Sequence, residues 1–221
     1  MLSKSRAISL SFFPYRESSL ICRFFTEEFG LQSFVVNGVR SGKSKIPMGL
    51  FQPFSMLDIV QYHDQKKDLH RLKEIKQSVP LISIPFSPVK SAMVMFCAEV
   101  LGKVVREGQT NTPLFDWTWN RISFLDQKKA GFEDWHVLFL LDMLRPLGLE
   151  PESARDLIAD WLKLKPVPPE SILLFLNDRE SVKPAAADKQ WIIDALLAYL
   201  QRHLEGMGQI RSLQVLREVF S

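Results

Sequence analysis

Leu31-Gln32-Ser33-Phe34-Val35-Val36-Asn37-Gly38-Val39-Arg40-Ser41-Gly42-Lys43-Ser44-Lys45 is the stretch whose reading decides the fold. Its first half is a strand. Leu31, Ser33 and Val35 fall on one face and Gln32, Phe34 and Val36 on the other, with β-branched and aromatic residues that suit a pleated surface. Its second half is a loop, because Asn37-Gly38 and Ser41-Gly42 tolerate turn geometry. That loop carries Arg40, Lys43 and Lys45, and no acid occurs between Glu28 and Asp58. A strand feeding a loop of three cations without a nearby countercharge is a place to hold an anion, and a chain of phosphates fits it. Gly42-Lys43-Ser44 does not make a nucleotide-binding P-loop. That motif requires a glycine five residues before its Gly-Lys-Ser, where Asn37 stands, and a helix directly after it, where Pro47 and Gly49 interrupt.

Outward from this stretch the N-terminal part continues as short strands. Residues 6–13 alternate, with Ile8, Leu10 and Phe12 opposite Ala7, Ser9 and Ser11, as in a half-buried strand. Phe13-Pro14-Tyr15-Arg16-Glu17 turns the chain, and residues 18–26 form a second strand. Residues 50–62 supply a fourth, with Pro53 placing its start at an edge or bulge. The basic segment that follows holds Lys66, Lys67, Arg71, Lys73 and Lys76. Leu69, Leu72 and Ile75 have helical spacing whereas Ile75, Gln77 and Val79 alternate; the second reading gives a short turn into a fifth strand. Four or five short strands in so short a span suit a small closed barrel, of which the five-stranded OB fold is an example that binds oligonucleotides.

After Pro80 the pattern changes to helices. Ser87-Pro88 reads as an N-cap and first helical proline, Asn111-Thr112-Pro113 starts a second helix, and residues 132–147 form a third that is apolar nearly all round. Residues 153–164 are a fourth, Pro166-Val167-Pro168-Pro169 is a loop, Asp188 caps a helix to Leu204, and Ser212 caps a last one. The expected class is α+β: a barrel domain over residues 1–80 followed by an all-α helical domain over residues 81–221.

Composition sets the bounds. With 221 residues, 46% hydrophobic and 24% charged, the chain has the make-up of an ordinary globular protein. A fold of this size buries roughly 70% of its extended-chain surface, so it needs no disulfide or metal to stand. The two cysteines, Cys22 and Cys97, sit in apolar runs and read as reduced, buried thiols. There is no Cys-x-x-Cys, the four histidines are scattered, and no apolar stretch is long enough for a signal peptide core or membrane span. The net charge of +3 is unevenly shared: residues 1–80 hold 12 bases and 7 acids, and the remainder holds 16 and 18. The N-terminal part therefore faces anions.

Tyr15-Arg16-Glu17-Ser18-Ser19-Leu20-Ile21, followed by Phe25-Thr26-Glu27-Glu28 and Gly30-Leu31, resembles the N-terminal signature of the bacterial RecO recombination mediators. Gly38-Val39-Arg40 with Lys43-Ser44-Lys45 is similar to that family's basic loop, and Leu50-Phe51-Gln52-Pro53-Phe54 to the strand after it. Arg211-Ser212-Leu213, Val215-Leu216-Arg217 and Phe220 resemble its terminal helix. The resemblance implies an OB-fold joined to a helical domain with no catalytic activity and no cofactor. It also implies a cytoplasmic, nucleoid-associated protein that binds single- and double-stranded DNA and anneals complementary strands. Its partners would be RecR, the C-terminal tail of single-strand-binding protein (SSB) and, indirectly, RecA. Many members carry a four-cysteine zinc element, which this chain lacks. Where the family is often basic, near the start of the core helix, Asp134, Trp135 and His136 stand here.

The candidate DNA-binding residues are Arg40, Lys43 and Lys45 on the basic loop, Lys66, Lys67 and Arg71 as an extension of the same track, and Arg16 and Tyr15 in the first turn. Arg16 and Arg23 are weaker, since Glu17, Glu27 and Glu28 are at hand to pair with them. Among Phe12, Phe13, Tyr15, Phe24 and Phe25, alternation assigns most to the barrel core, and Tyr15, in the turn, is the expected stacking platform. His63 and His70 show no ligand spacing. No Ser/His/Asp or paired-carboxylate arrangement makes a case for an enzyme. The competing interpretation is a scaffold whose helical domain binds partner peptides while the barrel is structural.

Overall fold

The computed structural model describes residues 2–41, 44, 46–64, 66–163, 170–179 and 182–220. Five strands, β1 (Leu2–Tyr15), β2 (Ser19–Thr26), β3 (Gly30–Val36), β4 (Met56–Tyr62) and β5 (Leu69–Val79), close into a barrel in the order β1-β2-β3-β5-β4. Neighbours are antiparallel except β3 and β5, which run parallel. This is the OB-fold barrel. The segment with two competing periodicities is thus a strand, held by its pairing with β4. Its seam with β3 is short, joining residues 33–35 to 69–71.

β1 is longer than its alternation suggests and works in two halves, residues 2–8 on β4 and residues 7–15 on β2. A bulge between Ser9 and Ser11 separates them. One extra residue exchanges the faces of a strand, so Ile8, Leu10 and Phe12 do not share a face as expected. Ala7 lies in the interior cluster and Phe12 packs against it, while Leu10 turns to the first helix, its Cβ 3.8 Å from where a Cβ on Gly102 would sit. β1 is therefore buried on both sides here, with Ala7, Ile8, Ser9 and Leu10 all inaccessible.

The fourth strand begins at Met56, later than expected, because residues 48–55 are claimed by the bulge. Ser9 N–H donates to Ser55 O at 2.9 Å, Phe54 N–H to Ser9 O at 2.7 Å, and Ser9 Oγ to Phe51 O at 2.9 Å. Met48–Phe51 is a short 3-10 turn. Val39, Leu50 and Phe51 from this long connection join Leu20, Cys22, Phe24, Phe34, Leu57 and Ile59 in the barrel core.

The chain divides into two compact units, Met1–Gln127 and Lys128–Ser221. The first contains the barrel with α1 (Pro88–Val104) and α2 (Thr112–Gln127). Ser87 Oγ caps α1 by accepting from Lys90 N–H, as read from Ser-Pro, and Asn111 Oδ1 accepts from Leu114 N–H at the head of α2. Phe25 leaves the barrel core for the helices, its ring 5.5 Å from that of Phe115.

The second unit contains α3 (Trp135–Met143), α4 (Ala154–Leu162), α5 (Glu170–Asn177), α6 (Ala186–His203) and α7 (Ser212–Val219). Within it α6 packs on α3, α4 and α5. The apolar helix expected over residues 132–147 is the shorter α3, and the proline loop lies outside the described residues. α5 has no counterpart in the sequence reading, although its buried Ile172, Phe175 and Leu176 have helical spacing.

Candidate nucleic-acid interface

Two of the candidate cations meet at the first turn. Tyr15 and Ser19 pair across it, and residues 16–18 make the connection with Arg16 in the left-handed region at φ 53°. Arg40 is tied to the same turn: its N–H donates to Ser18 O at 3.0 Å and its Nη1 to Arg16 O at 3.4 Å. The partner of the Arg40 side chain is a main-chain carbonyl, so its charge is not neutralised by this contact. The Arg16 guanidinium lies 5.2 Å from the Tyr15 ring centroid. Lys43 and Lys45 lie outside the described residues. Their loop is rooted at both ends, by Val39 in the core and by Ile46 packed against it.

Beyond Arg71 the β3–β5 seam opens, and a cleft of about 920 Å³ lies beside it. Val35 and Asn37 at the exit of β3, Ile46 at the return of the basic loop, and Arg71, Lys73 and Lys76 on β5 all line it, together with Lys4 on β1. Asn37 and Ile46, on either side of the basic loop, thus line a cleft that also holds one predicted residue, Arg71. Neither Arg71 nor Lys4 has an ion-pair partner among the described residues. Lys76 lies 3.6 Å from Asp58 and Lys73 3.9 Å from Glu74, all largely exposed. Exposed pairs of this kind contribute at most about 1 kcal/mol, so an incoming phosphate competes with them. Arg6 is different. It donates to Glu27 at 2.7 Å and Asp116 at 2.8 Å, and Glu27's carboxyl is held below its usual range chiefly by that bond.

Lys66 and Lys67 stand in the β4–β5 connection, where Lys67 pairs with Asp64 at 3.2 Å and Asp64 also accepts from Lys66 N–H. A polar chain beneath this connection was not readable from spacing. Gln61 Nε2 donates to Gln32 Oε1 at 2.9 Å, and Gln32 Nε2 faces His63 Nδ1 at 3.4 Å and His70 Nε2 at 3.2 Å. An amide NH₂ only donates, so both facing ring nitrogens accept. Burial, and next the adjacent His63, pushes His70 below the usual imidazole value. Phe29 stacks on His63 at 4.2 Å, which completes the anchorage. Arg23, the other weak candidate, reaches Glu107 at 3.9 Å.

The residues do not fit a zinc element. Four thiolates are needed and the sequence has two cysteines. Burial pushes Cys22 up to about 12 and Cys97 well above its ordinary value. Among the described residues no group of three or more His, Cys, Asp or Glu could hold a metal ion, and no helix is long and apolar enough to cross a membrane. In the helical unit the crevice between α3, α6 and α7 is about 20 Å³, room for about one water. Its rim cations are both paired, Lys189 with Asp134 and Arg217 with Asp194.

Family models place this geometry among known proteins. Residues 1–79 match the N-terminal model of recombination protein O, and residues 85–158 match its C-terminal model. The DNA repair protein RecO of Phocaeicola vulgatus is 31% identical over 241 aligned positions spanning all of both chains. That of Christiangramia forsetii is 32% identical over 241 positions, again the whole of each. A Bacteroides fragilis RecO is 38% identical over 151 positions, covering 68% of this chain and 62% of the relative.

Proposed function

The chain belongs to the recombination protein O family of DNA repair proteins, and from that premise we propose that it is a non-enzymatic mediator of recombination acting in the cytoplasm at the nucleoid. Its barrel unit binds single- and double-stranded DNA through the backbone and brings complementary strands together. With RecR it helps RecA onto strands covered by SSB, whose C-terminal tail it contacts.

The observation that carries this reading is the cleft of the OB barrel, where Asn37 and Ile46, on either side of the basic loop, meet Arg71, which has no ion-pair partner among the described residues. Arg16, Arg40, Lys43, Lys45, Lys66, Lys67 and Arg71 supply the charge, with Tyr15 beside them, and Lys4, Lys73 and Lys76 extend it. Cations that meet phosphates give affinity irrespective of base identity. Two strands whose charges are screened in this way approach each other with their bases free to pair, and annealing follows.

A salt titration tests the reading. If about five phosphates of a single strand are neutralised, log K falls against log salt with a slope of roughly −3.5. Replacing Arg40, Lys43 and Lys45 together by alanine should weaken binding to every sequence alike and flatten that slope by up to roughly 2. A salt-independent affinity in the parent protein contradicts phosphate binding; an unchanged slope in the variant moves the site away from the loop.

A further inference from the structure

The outer surface of the barrel carries a row of side chains that the backbone cations do not explain. Strand pairing sets Phe13 opposite Ile21, Ile21 opposite Val35, Val35 opposite Arg71 and Arg71 opposite Tyr62. Directly paired residues share a face. Their chain neighbours Phe12, Leu20, Cys22, Phe34 and Val36 belong to the interior or pack on it, so this row points outward. Its two ends are aromatic and bare: Phe13 is 46% exposed and Tyr62 55%. Leu2, paired with Tyr62, and Leu69, two residues before Arg71 on β5, are exposed beside it. Single exposed apolar residues are ordinary. Here they flank one row, and its middle members Val35 and Arg71 are walls of the cleft, whose lining sets Lys4, Arg71, Lys73 and Lys76 among Glu28, Asp58 and Glu74.

We propose that this row is a stacking platform for unpaired nucleobases, and that it makes the barrel prefer single strands to duplex. The inference rests on the DNA-binding reading above. A single strand has both a phosphate chain and free base faces. With its phosphates at Arg71 and the neighbouring lysines, its bases lie over the row and stack on Phe13 and Tyr62. Every base has a π-face, so the contact adds affinity without choosing a sequence. In a duplex those faces are covered by neighbouring base pairs, and only the phosphate contacts remain. The apolar row and the cation track are thus two separable determinants on one surface, the first reading strandedness and the second charge.

The test compares the full-length chain with Phe13→Ser/Tyr62→Ser on two labelled probes at one salt concentration: a single strand of roughly 16 nucleotides, the upper site size of one OB fold, and the duplex of the same sequence. Both side chains are exposed, and circular dichroism verifies that the fold is kept. The double variant should bind the single strand at least about tenfold more weakly, with duplex binding within about twofold and the salt slope unchanged. Phe13→Trp in the parent should show indole quenching with the single strand and not with the duplex. Equal losses on both probes, no loss on either, or quenching by both would overturn the platform. If the parent chain binds neither probe, the DNA-binding reading itself fails; if it binds both and the double variant is unaffected, only the platform does.

Discussion

Arg16 sits at φ 53° in a turn where glycine or asparagine would rest more easily. A side chain held in the left-handed region costs about 1–2 kcal/mol. The cost is met by a guanidinium at the tip of the turn, beside Tyr15, with its carbonyl accepting from Arg40. Arg16→Gly relieves the strain and loses part of the gain to the greater freedom of the unfolded chain. It should therefore raise stability in urea by up to about 1 kcal/mol while lowering DNA affinity and reducing the single-strand salt slope by roughly 0.7. A variant that is less stable and binds DNA normally would make Arg16 a structural residue. Gly30 shows the opposite constraint at the same scale: a Cβ there would lie 2.1 Å from Gln109 O, so the approach of the α1–α2 connection to β3 requires its absence.

Among elements, the joint between β5 and α1 depends on one carboxylate. Asp126 at the end of α2 accepts from Ile82, Ser83 and Ile84 N–H, each at 2.8 Å, and Lys90 Nζ reaches Ser83 Oγ and Leu125 O close by. Burial acts to raise the Asp126 pKa, but the three main-chain donors outweigh it and leave it below the ordinary carboxylate value. A depressed pKa means the folded state holds the proton less tightly than the unfolded chain. The resulting stability is in force above the ordinary carboxylate range and is lost as pH falls through it. Asp126→Asn places an amide NH₂ among N–H donors. It should cost about 1–3 kcal/mol in thermal or urea unfolding near neutral pH and remove part of the acid dependence below about pH 4. Retained stability with an unchanged acid limb would show that the connector is held otherwise.

For the molecule as a whole, buried neutral histidines in both units contribute to acid stability. In the helical unit burial, then Lys189, drives His136 down to about 3 against the opposing pull of Asp134. In the barrel unit His70 is lowered by burial and by His63. Each binds its proton more readily unfolded, so its contribution is complete above about pH 6.5. For His136 it is lost progressively as pH falls from there towards 3. The thermal midpoint should decline through that window, earlier than carboxylate protonation alone would bring. His136→Leu should flatten the decline in helical-unit signals while His70 keeps it in the barrel. An unaltered pH profile in His136→Leu would assign the sensitivity elsewhere.

The barrel, the helices after Pro80 and the cation-rich loop are all legible in the residues, because alternation, capping pairs such as Ser87-Pro88 and the acid-free run around Arg40 are local signals. What depends on contacts distant in sequence is not legible. The bulge at Ser9–Ser11 reverses the faces of β1, so Ala7 and Phe12, which strict alternation sets on opposite faces, both serve the barrel interior. Lys4, Lys73 and Lys76 share a cleft with Asn37 and Ile46 only because β5 leaves β3 after Arg71 and opens it there. The Gln61–Gln32–His chain, whose members scatter along the sequence, exists only where three strands converge. Periodicity thus determined most of the segments that form strands and helices, while pairing with β4 settled the one over residues 69–79. Closure of the barrel decided which of their side chains share a surface, since a one-residue shift in pairing exchanges inside for outside.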